Sequence, residues 1–528
     1  MNVDATFVNA AGLVVGSALL IQLVHSWLRP RPIPNIPHNP ITSFLGDIPA
    51  ISRAGKNGDG LFADFVAHTV STHGPISQIL LGWHRLVIVN DKAEMERIIL
   101  GEKITDTSAR LRSVFATVLP NSQISLPANE IWKKHRRLSG PSMSRRYLER
   151  MSERIAAGAN DLVGLWQAKY TLVGCSAFDP VSDFHLATMD GIVNVALGQS
   201  IGCMKHAYDA LPSSVQYSSS VVHFPPVDPP LLYKSGKFIV KEIERSLQSP
   251  FPVLTTWLFT YTSVAWWKHY NFIVSFFTTA IAQARERETN LGEAKQGLST
   301  NADCVLDMIV QREGRKGHEG EEAFGKDNLL DELIMYTLAG QDSTAVSLSW
   351  LFKYLSTNAN VQRQLHDEMC TVFGPSGESN NLDFDLLDNS ERVPILESIV
   401  AETMRCAGVS AIIARDLLQD EVILGRHVPK GSQLMFTTKL MSQSETEWGL
   451  DAKVWRPNRW LNSDGTFNRL AGPSIPFGAG QRSCIISRSF FFKPVPPEVD
   501  DWGVVEVVTN RPRTCYVSLE RWDSKNGS

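Results

Sequence analysis

The sequence has few cysteines and no pairing pattern among them. Seven are spread over 528 residues, at positions 175, 203, 304, 370, 406, 484 and 515, with no CxxC spacing. That excludes a disulfide framework or a zinc site as the organising device, so a cysteine that does chemistry here does it alone. Charge of one sign is also lacking. The net charge is −4, and no basic surplus marks nucleic acid as a partner. Internal repeats and low-complexity tracts are absent, and no linker divides the chain, although its length would suit roughly three or four ordinary domains. Apolar and aromatic residues are plentiful: 43% hydrophobic content, 13 Trp and 24 Phe supply a thick core or a lipophilic pocket.

The longest uncharged run is "ATFVNAAGLVVGSALLIQLVHSWL", the 24 residues Ala5–Leu28. As a helix it spans about 36 Å, against a hydrocarbon core of roughly 30 Å. Asp4 precedes it and Arg29 and Arg31 follow, so the positive-inside bias keeps the body of the protein cytosolic. A cleaved signal peptide expects a basic start and a shorter apolar core, which favours an uncleaved anchor over residues 1–28. Residues 29–40, "RPRPIPNIPHNP", hold five prolines and form a stiff, non-helical hinge. The body is 41–528.

Within the body a few strands mix with many helices. "ISQILLGWHRLVIVND" (Ile76–Asp91) alternates around Gly82 as a hairpin does, and Asp91 caps the short helix after it. Charged helical sequence runs from Glu130 to about Trp166. The aromatic stretch 249–277 either lies at a lipid interface, a place suited to Trp257, Trp266 and Trp267, or forms a plain core helix. The glycine-containing segments after Asn290 and Arg312 read as solvated loops.

Three motifs carry chemistry. A long helix from about Asn328 to Leu355 contains "LAGQDSTAV" (Leu338–Val346), four poor helix formers in an apolar helix. Gly340 opens a gap for something to approach, and Asp342 and Ser343 set an acid and an alcohol beside it. They suit a proton relay, or equally a kinked core helix with solvated polar groups. Next, Glu402 and Arg405 are three apart on one helical face, with Arg459 of "KVWRPNRW" a third member. Finally, "PFGAGQRSC" places Cys484 on a glycine-rich loop. A lone thiolate serves as an axial ligand of haem iron. Gly478 and Gly480 let the backbone pass close under a porphyrin, Phe477 shields the sulfur, and Arg482 suits a propionate. A glycine turn with a buried, inert cysteine is the plain alternative.

Anchor, proline hinge, AGQDST, ExxR, RPNRW and the cysteine loop, in this order and spacing, resemble the cytochrome P450s, and among them fungal microsomal members. The resemblance covers essentially the whole chain. It implies a mainly α-helical single domain with a small β-sheet region behind the transmembrane helix, and haem bound between the Asp342 helix and the Cys484 loop. It makes Cys484 the metal ligand, Asp342, Ser343 and Thr344 the catalytic residues, and Glu402, Arg405 and Arg459 a structural triad. "WKKHR" matches the family's WxxxR, so Trp132 and Arg136 are expected at a propionate, as is Arg415. It further implies electrons from NADPH through a flavoprotein reductase and insertion of one oxygen atom from O2 into a lipophilic small molecule. The setting is the endoplasmic reticulum membrane, in secondary metabolism or xenobiotic oxidation. The basic residues Lys133, Lys134, Arg136 and Arg137 either help dock the reductase or form a solvated face.

Two departures stand out. Ser343 takes the place of the usual threonine. More seriously, Ile486 replaces the glycine expected to open a long proximal helix, and only nine residues, Ile485–Lys493, precede Pro494. The tail "WGVVEVVTNRPRTCYVSLERW" again reads as closing strands, so an internal piece is missing and poor haem incorporation is expected. The rival functions are a haem-thiolate isomerase or dehydratase, and an anchored pseudo-enzyme with impaired haem binding.

Overall fold

The computed structural model describes Gln22 and residues 29–521, apart from 57–61, 101–103, 215–220, 250, 295–303, 314–324, 375–382, 473, 475–489, 494–499 and 507–508. The anchor stretch 5–28 therefore lies outside the described residues except for Gln22. Among the described residues no helix is long and apolar enough to cross a membrane. The chain packs as two compact units, one of residues up to Ser108 with Ala411–Met441, the other of Ala109–Ser410 with Ser442 onward.

The smaller unit is built on a five-stranded sheet of β1 (Ile76–Leu81), β2 (His84–Val89), β3 (Thr105–Thr107), β4 (Ile413–Leu417) and β5 (Gln433–Phe436). The spatial order is β1-β2-β5-β4-β3. β1 and β2 are the expected hairpin, Ile76 opposite Val89, turning through Gly82 at φ +61°. β2 and β5 run parallel, and the other pairs are antiparallel. Helix α1 (Lys92–Leu100) follows, and Asp91 caps it, its Oδ1 accepting from the Glu94 amide at 2.8 Å.

The larger unit is helical. Its main elements are α2 (Glu130–Ser139), α3 (Arg145–Val173), α4 (Val181–Leu197), α5 (Leu231–Leu247), α6 (Pro252–Thr262), α7 (Val264–Ala294), α8 (Lys326–Ser356) and α9 (Pro394–Ala407). The charged segment after Glu130 is thus two helices, broken by a 3-10 turn at Gly140–Met143. Helix α8 packs along α4 and α9, and its apolar face joins one large core in which Trp166, Phe184 and Phe352 meet ring to ring. Each buried ring of this kind stabilises the fold by about 1.5–3 kcal/mol relative to exposure.

The aromatic stretch divides into an exposed part and a core part. Phe251, Leu254, Trp257, Leu258, Tyr261, Val264 and Trp267 are exposed, whereas Ile273 and Phe277 are core. The sequence groups Trp266 with the interfacial tryptophans, but it is buried. Adjacent residues point about 100° apart on a helix, so Trp266 faces inward against Phe259 and Tyr270 while Trp267 faces out.

Beyond the cysteine loop the described chain resumes as strand β6 (Phe490–Lys493), antiparallel to β9 (Ser518–Arg521). Four of the nine residues between Cys484 and Pro494 are therefore strand. β7 (Val504–Glu506) and β8 (Asn510–Pro512) form a further hairpin. The tail is fastened to α8 by the buried Lys353, whose Nζ donates to Asp500 Oδ1 at 2.7 Å and to the Thr514 carbonyl at 2.8 Å.

Candidate active site

Helix α8 runs unbroken through Leu338–Val346. Its neighbour explains Gly340: a Cβ there would lie 2.8 Å from Ile192 Cδ1 and 3.0 Å from its Cγ1. The sequence suggests a gap at Gly340 for a bound group; the structure fills it with helix α4. Gly236 of α5 likewise lets Leu338 approach, an added Cβ there falling 2.8 Å from Leu338 Cδ2.

Asp342, Ser343 and Thr344 are each half-buried. Asp342 Oδ2 accepts a hydrogen bond from Thr509 Oγ1 at 2.9 Å. Ser343 Oγ donates to the Ala339 carbonyl at 2.9 Å, the back-bond that helical serine commonly makes. In this conformation the Ser343 oxygen remains an acceptor.

The three residues of the ExxR and RPNRW motifs meet in the interior. Arg405 grips Glu402 with two bonds, Nε to Oε2 at 2.7 Å and Nη2 to Oε1 at 2.8 Å. Arg459 Nε reaches Oε1 at 3.0 Å. The Arg456 amide (2.8 Å) and Trp460 Nε1 (2.9 Å) complete five donations to one carboxylate. Arg405 Nη1 donates to the carbonyls of Ser442 and Ala452, at 2.7 and 2.6 Å, and Nη2 also reaches Cys406 Sγ at 3.1 Å. Burial works to raise the Glu402 pKa, but the Arg405 hydrogen bonds and charge and the other donors prevail and hold the carboxyl below its ordinary value. A buried ion pair persists only when its spare donors and acceptors are satisfied in this way. Trp460 and the Arg456 amide, both in the quoted motif, are members the sequence did not single out.

Trp132 and Arg136 lie one turn apart on α2, and the Arg136 guanidinium sits 5.8 Å from the Trp132 ring centroid. Asn129 caps that helix, its Oδ1 accepting from the Trp132 amide at 3.0 Å. The buried His135 pins it to α8 through Glu332, 2.7 Å away. Arg415 belongs to the smaller unit, on β4 opposite Thr107. Burial pulls its guanidinium below the ordinary value, with Asp106 opposing, and the acceptor it has among the described residues is the Ala414 carbonyl at 3.2 Å. Arg110 of the larger unit, which the sequence reading missed, is lowered by burial in the same way. Nothing in its sequence neighbourhood distinguishes it from other arginines.

Cys484 lies outside the described residues, as do Phe477, Gly478, Gly480 and Arg482. The other six cysteines are free thiols. Burial pushes Cys304 and Cys406 up to about 12, and Cys203 and Cys515 upward also. Burial favours the protonated thiol at all four, which makes them poor metal ligands.

Comparison with known proteins places the chain among the haem-thiolate oxidoreductases. A family model described as cytochrome P450 matches residues 37–485, and the chain belongs to that family. The match ends one residue past Cys484. The chain is 26% identical to the cytochrome P450 monooxygenase GME11363 of Pestalotiopsis microspora, over 89% of each chain. It is 24% identical to the cytochrome P450 monooxygenase TRI13 of Fusarium sporotrichioides, over 96% of this chain and 98% of that one. In fold it is similar to a crystal structure of a cytochrome P450, CYP102L1, with a TM-score of 0.71 at 17% identity, covering 93% of this chain and 100% of that chain. The fold is therefore that of a P450, mainly helical with small β-sheets, and the enzyme is a monooxygenase.

Proposed function

We propose that this protein is a membrane-anchored, haem-dependent monooxygenase that inserts one oxygen atom from O2 into a lipophilic small molecule of fungal secondary metabolism. The observation that carries the reading is the family match, which runs through Cys484. Bound haem supplies the activation of dioxygen, and thiolate donation favours O–O cleavage.

The described residues fit such a group. Haem brings two propionates, and Arg136, held over the Trp132 ring, and the half-buried Arg110 are guanidinium groups of the larger unit that suit them. Arg415 of β4 is the further partner that the family resemblance implies. With four other thiols held protonated, Cys484 is the proposed ligand, its loop (Phe477, Gly478, Gly480, Arg482) framing the sulfur. Trp132 fixes Arg136 by stacking on it, and the Glu402–Arg405–Arg459 hub holds the frame.

Asp342 would hold and pass a proton at its carboxylate, and the hydroxyls of Ser343 and Thr344 would carry it onward. Electrons come from NADPH through a separate flavoprotein reductase, with the basic α2 as a docking face. The domain plan is a transmembrane anchor (1–28), a hinge (29–40) and the haem-binding body (41–528), on the cytosolic face of the endoplasmic reticulum membrane. The exposed apolar row on α6 and the start of α7, from Leu254 to Trp267, adds a second lipid contact.

The test is reconstitution with a flavoprotein reductase, NADPH and isotope-labelled dioxygen across a panel of lipophilic compounds. A product carrying one labelled oxygen atom, formed only with NADPH and reductase, is expected. Product formation without NADPH, and without label, would overturn the monooxygenase reading in favour of an isomerase or dehydratase.

A further inference from the structure

The acid of α8 is not held by its own helix. Its carboxylate takes a hydrogen bond from Thr509, a residue 167 positions further along the chain. Thr509 precedes β8, and the residues that follow it leave it little freedom. The next residue, Asn510, is fixed three times: its carbonyl accepts from Trp350 Nε1 at 2.9 Å, its amide donates to the Val409 carbonyl at 3.1 Å, and its Nδ2 donates to the Gly408 carbonyl at 2.9 Å. The residue after that, Arg511, pairs with Glu244 of α5. Thr509 is therefore presented to Asp342 by a hairpin bolted to α5, α8 and the end of α9.

Ionisable groups lie near Asp342: its charge acts on His185 of α4 and on Glu244 of α5, and Lys237 and Arg511 act on His185 in turn. His185 Nδ1 accepts from Gln341 Nε2 at 2.8 Å. Burial lowers its pKa to about 4 against the pull of Asp342, so the ring is neutral near pH 7. Left unsecured among these groups, the aspartate side chain would be free to turn between rotamers.

We infer that Thr509 is a positioning residue for Asp342, fixing the rotamer of its carboxylate so that Oδ1 stays free to pass protons while Oδ2 is held. The inference rests on the acid–alcohol reading proposed above and adds to it a residue from a remote part of the chain. A hydroxyl at this point is a fixed, neutral donor: it holds the carboxylate without neutralising it, as a lysine or arginine partner would. A purely structural staple between the hairpin and α8 would use the same bond, so the test must separate stapling from positioning.

Dioxygen consumption without substrate makes that separation. NADPH supplies two electrons through the reductase. Two electrons and two protons reduce O2 to H2O2, whereas four electrons and four protons carry it to two waters; the second course needs continued proton delivery. The measured quantity is H2O2 formed per NADPH consumed by the full-length holoenzyme. Asp342→Asn should raise it several-fold. Thr509→Val, which keeps the shape and loses the hydroxyl, should raise it towards the Asp342→Asn level, and Thr509→Ser should return it close to wild type. A second readout needs no turnover: melting midpoints by far-ultraviolet circular dichroism for Thr509→Val, Asp342→Ala and the double variant. Non-additive shifts are expected, because either change alone already removes the bond.

If Asp342→Asn raises peroxide while Thr509→Val does not, Thr509 is only a staple and the inference fails with the acid–alcohol reading intact. Additive midpoints would show that the two side chains do not interact, which also overturns it. Wild-type peroxide yield in Asp342→Asn would overturn the underlying reading itself.

Discussion

Replacing Glu402 by glutamine should be among the most damaging single-atom changes available in this chain. The carboxylate accepts five hydrogen bonds, three of them from Arg405 and Arg459, and neither it nor the Arg405 side chain is exposed. Glutamine keeps one acceptor oxygen but turns the other into an NH2 that faces guanidinium N–H groups, donor against donor. It also leaves the buried Arg405 charge without its carboxylate, while Arg459 keeps Asp451 Oδ1 at 3.3 Å. Removing one partner of a buried pair typically costs about 3–5 kcal/mol. Summing five charged hydrogen bonds separately at ~1.5–3 kcal/mol each would overshoot, since the neighbours relax and carbonyls such as those of Ser442 and Ala452 continue to hold Arg405. Against a total stability of about 5–15 kcal/mol, the loss leaves a folded state that is marginal. Urea unfolding at neutral pH, followed by near-ultraviolet circular dichroism, measures it. A Glu402→Gln protein within about 1 kcal/mol of wild type would refute the view that the hub carries buried, uncompensated charge.

Glu368 caps α9, accepting from the Ile395 and Leu396 amides at 2.7 and 2.9 Å, and burial raises its pKa to about 7. A carboxyl raised in the native state contributes stability that is fully present below its ordinary 4.5 and lost as pH rises through about 7. Glu368→Gln should therefore flatten the stability–pH curve between these values, by about 1–2 kcal/mol after allowance for partial exposure; an unchanged slope would contradict this. Glu402, whose pKa is depressed, works the other way: its contribution is present above its unfolded value and lost as pH falls through the folded one. Deleting residues 1–28 should shift much of the protein from the membrane pellet to the supernatant. Complete release would argue against a lipid contact by α6, and no release against 5–28 as the anchor. Restoring a helical segment between Cys484 and Pro494 should raise haem occupancy and thermal stability, since a helix there would bury apolar surface at roughly 25 cal/mol per Å². Full occupancy and ordinary stability of the 528-residue chain would show that nothing essential is missing.

Where chemistry is local in the chain, the sequence disclosed it. The turn of the first hairpin needs only a residue at positive φ, and Gly82 announced it. Asp91 as a cap and the three-residue spacing of Glu402 and Arg405 were equally legible, because one helical turn fixes who can touch whom. Legibility ended where partners are remote. Gly340 looks like a gap for a ligand, and only the packing of α4 shows Ile192 in it. Trp266 and Trp267 are indistinguishable by composition, yet one is core and the other exposed. The bond from Thr509 to Asp342 depends on a hairpin closing over a helix, and no spacing rule connects positions 342 and 509. Arg110 becomes notable only through its partial burial.

The most direct measurement is the carbon monoxide difference spectrum of the reduced, haem-loaded protein, compared between wild type, Cys484→Ala and Cys406→Ala. Cys406 is a buried thiol pushed up to about 12, and its replacement should leave the thiolate-type band in place. Cys484→Ala should abolish that band. A thiolate-type spectrum that survives in Cys484→Ala would contradict the assignment of the iron ligand, and with it the proposed site.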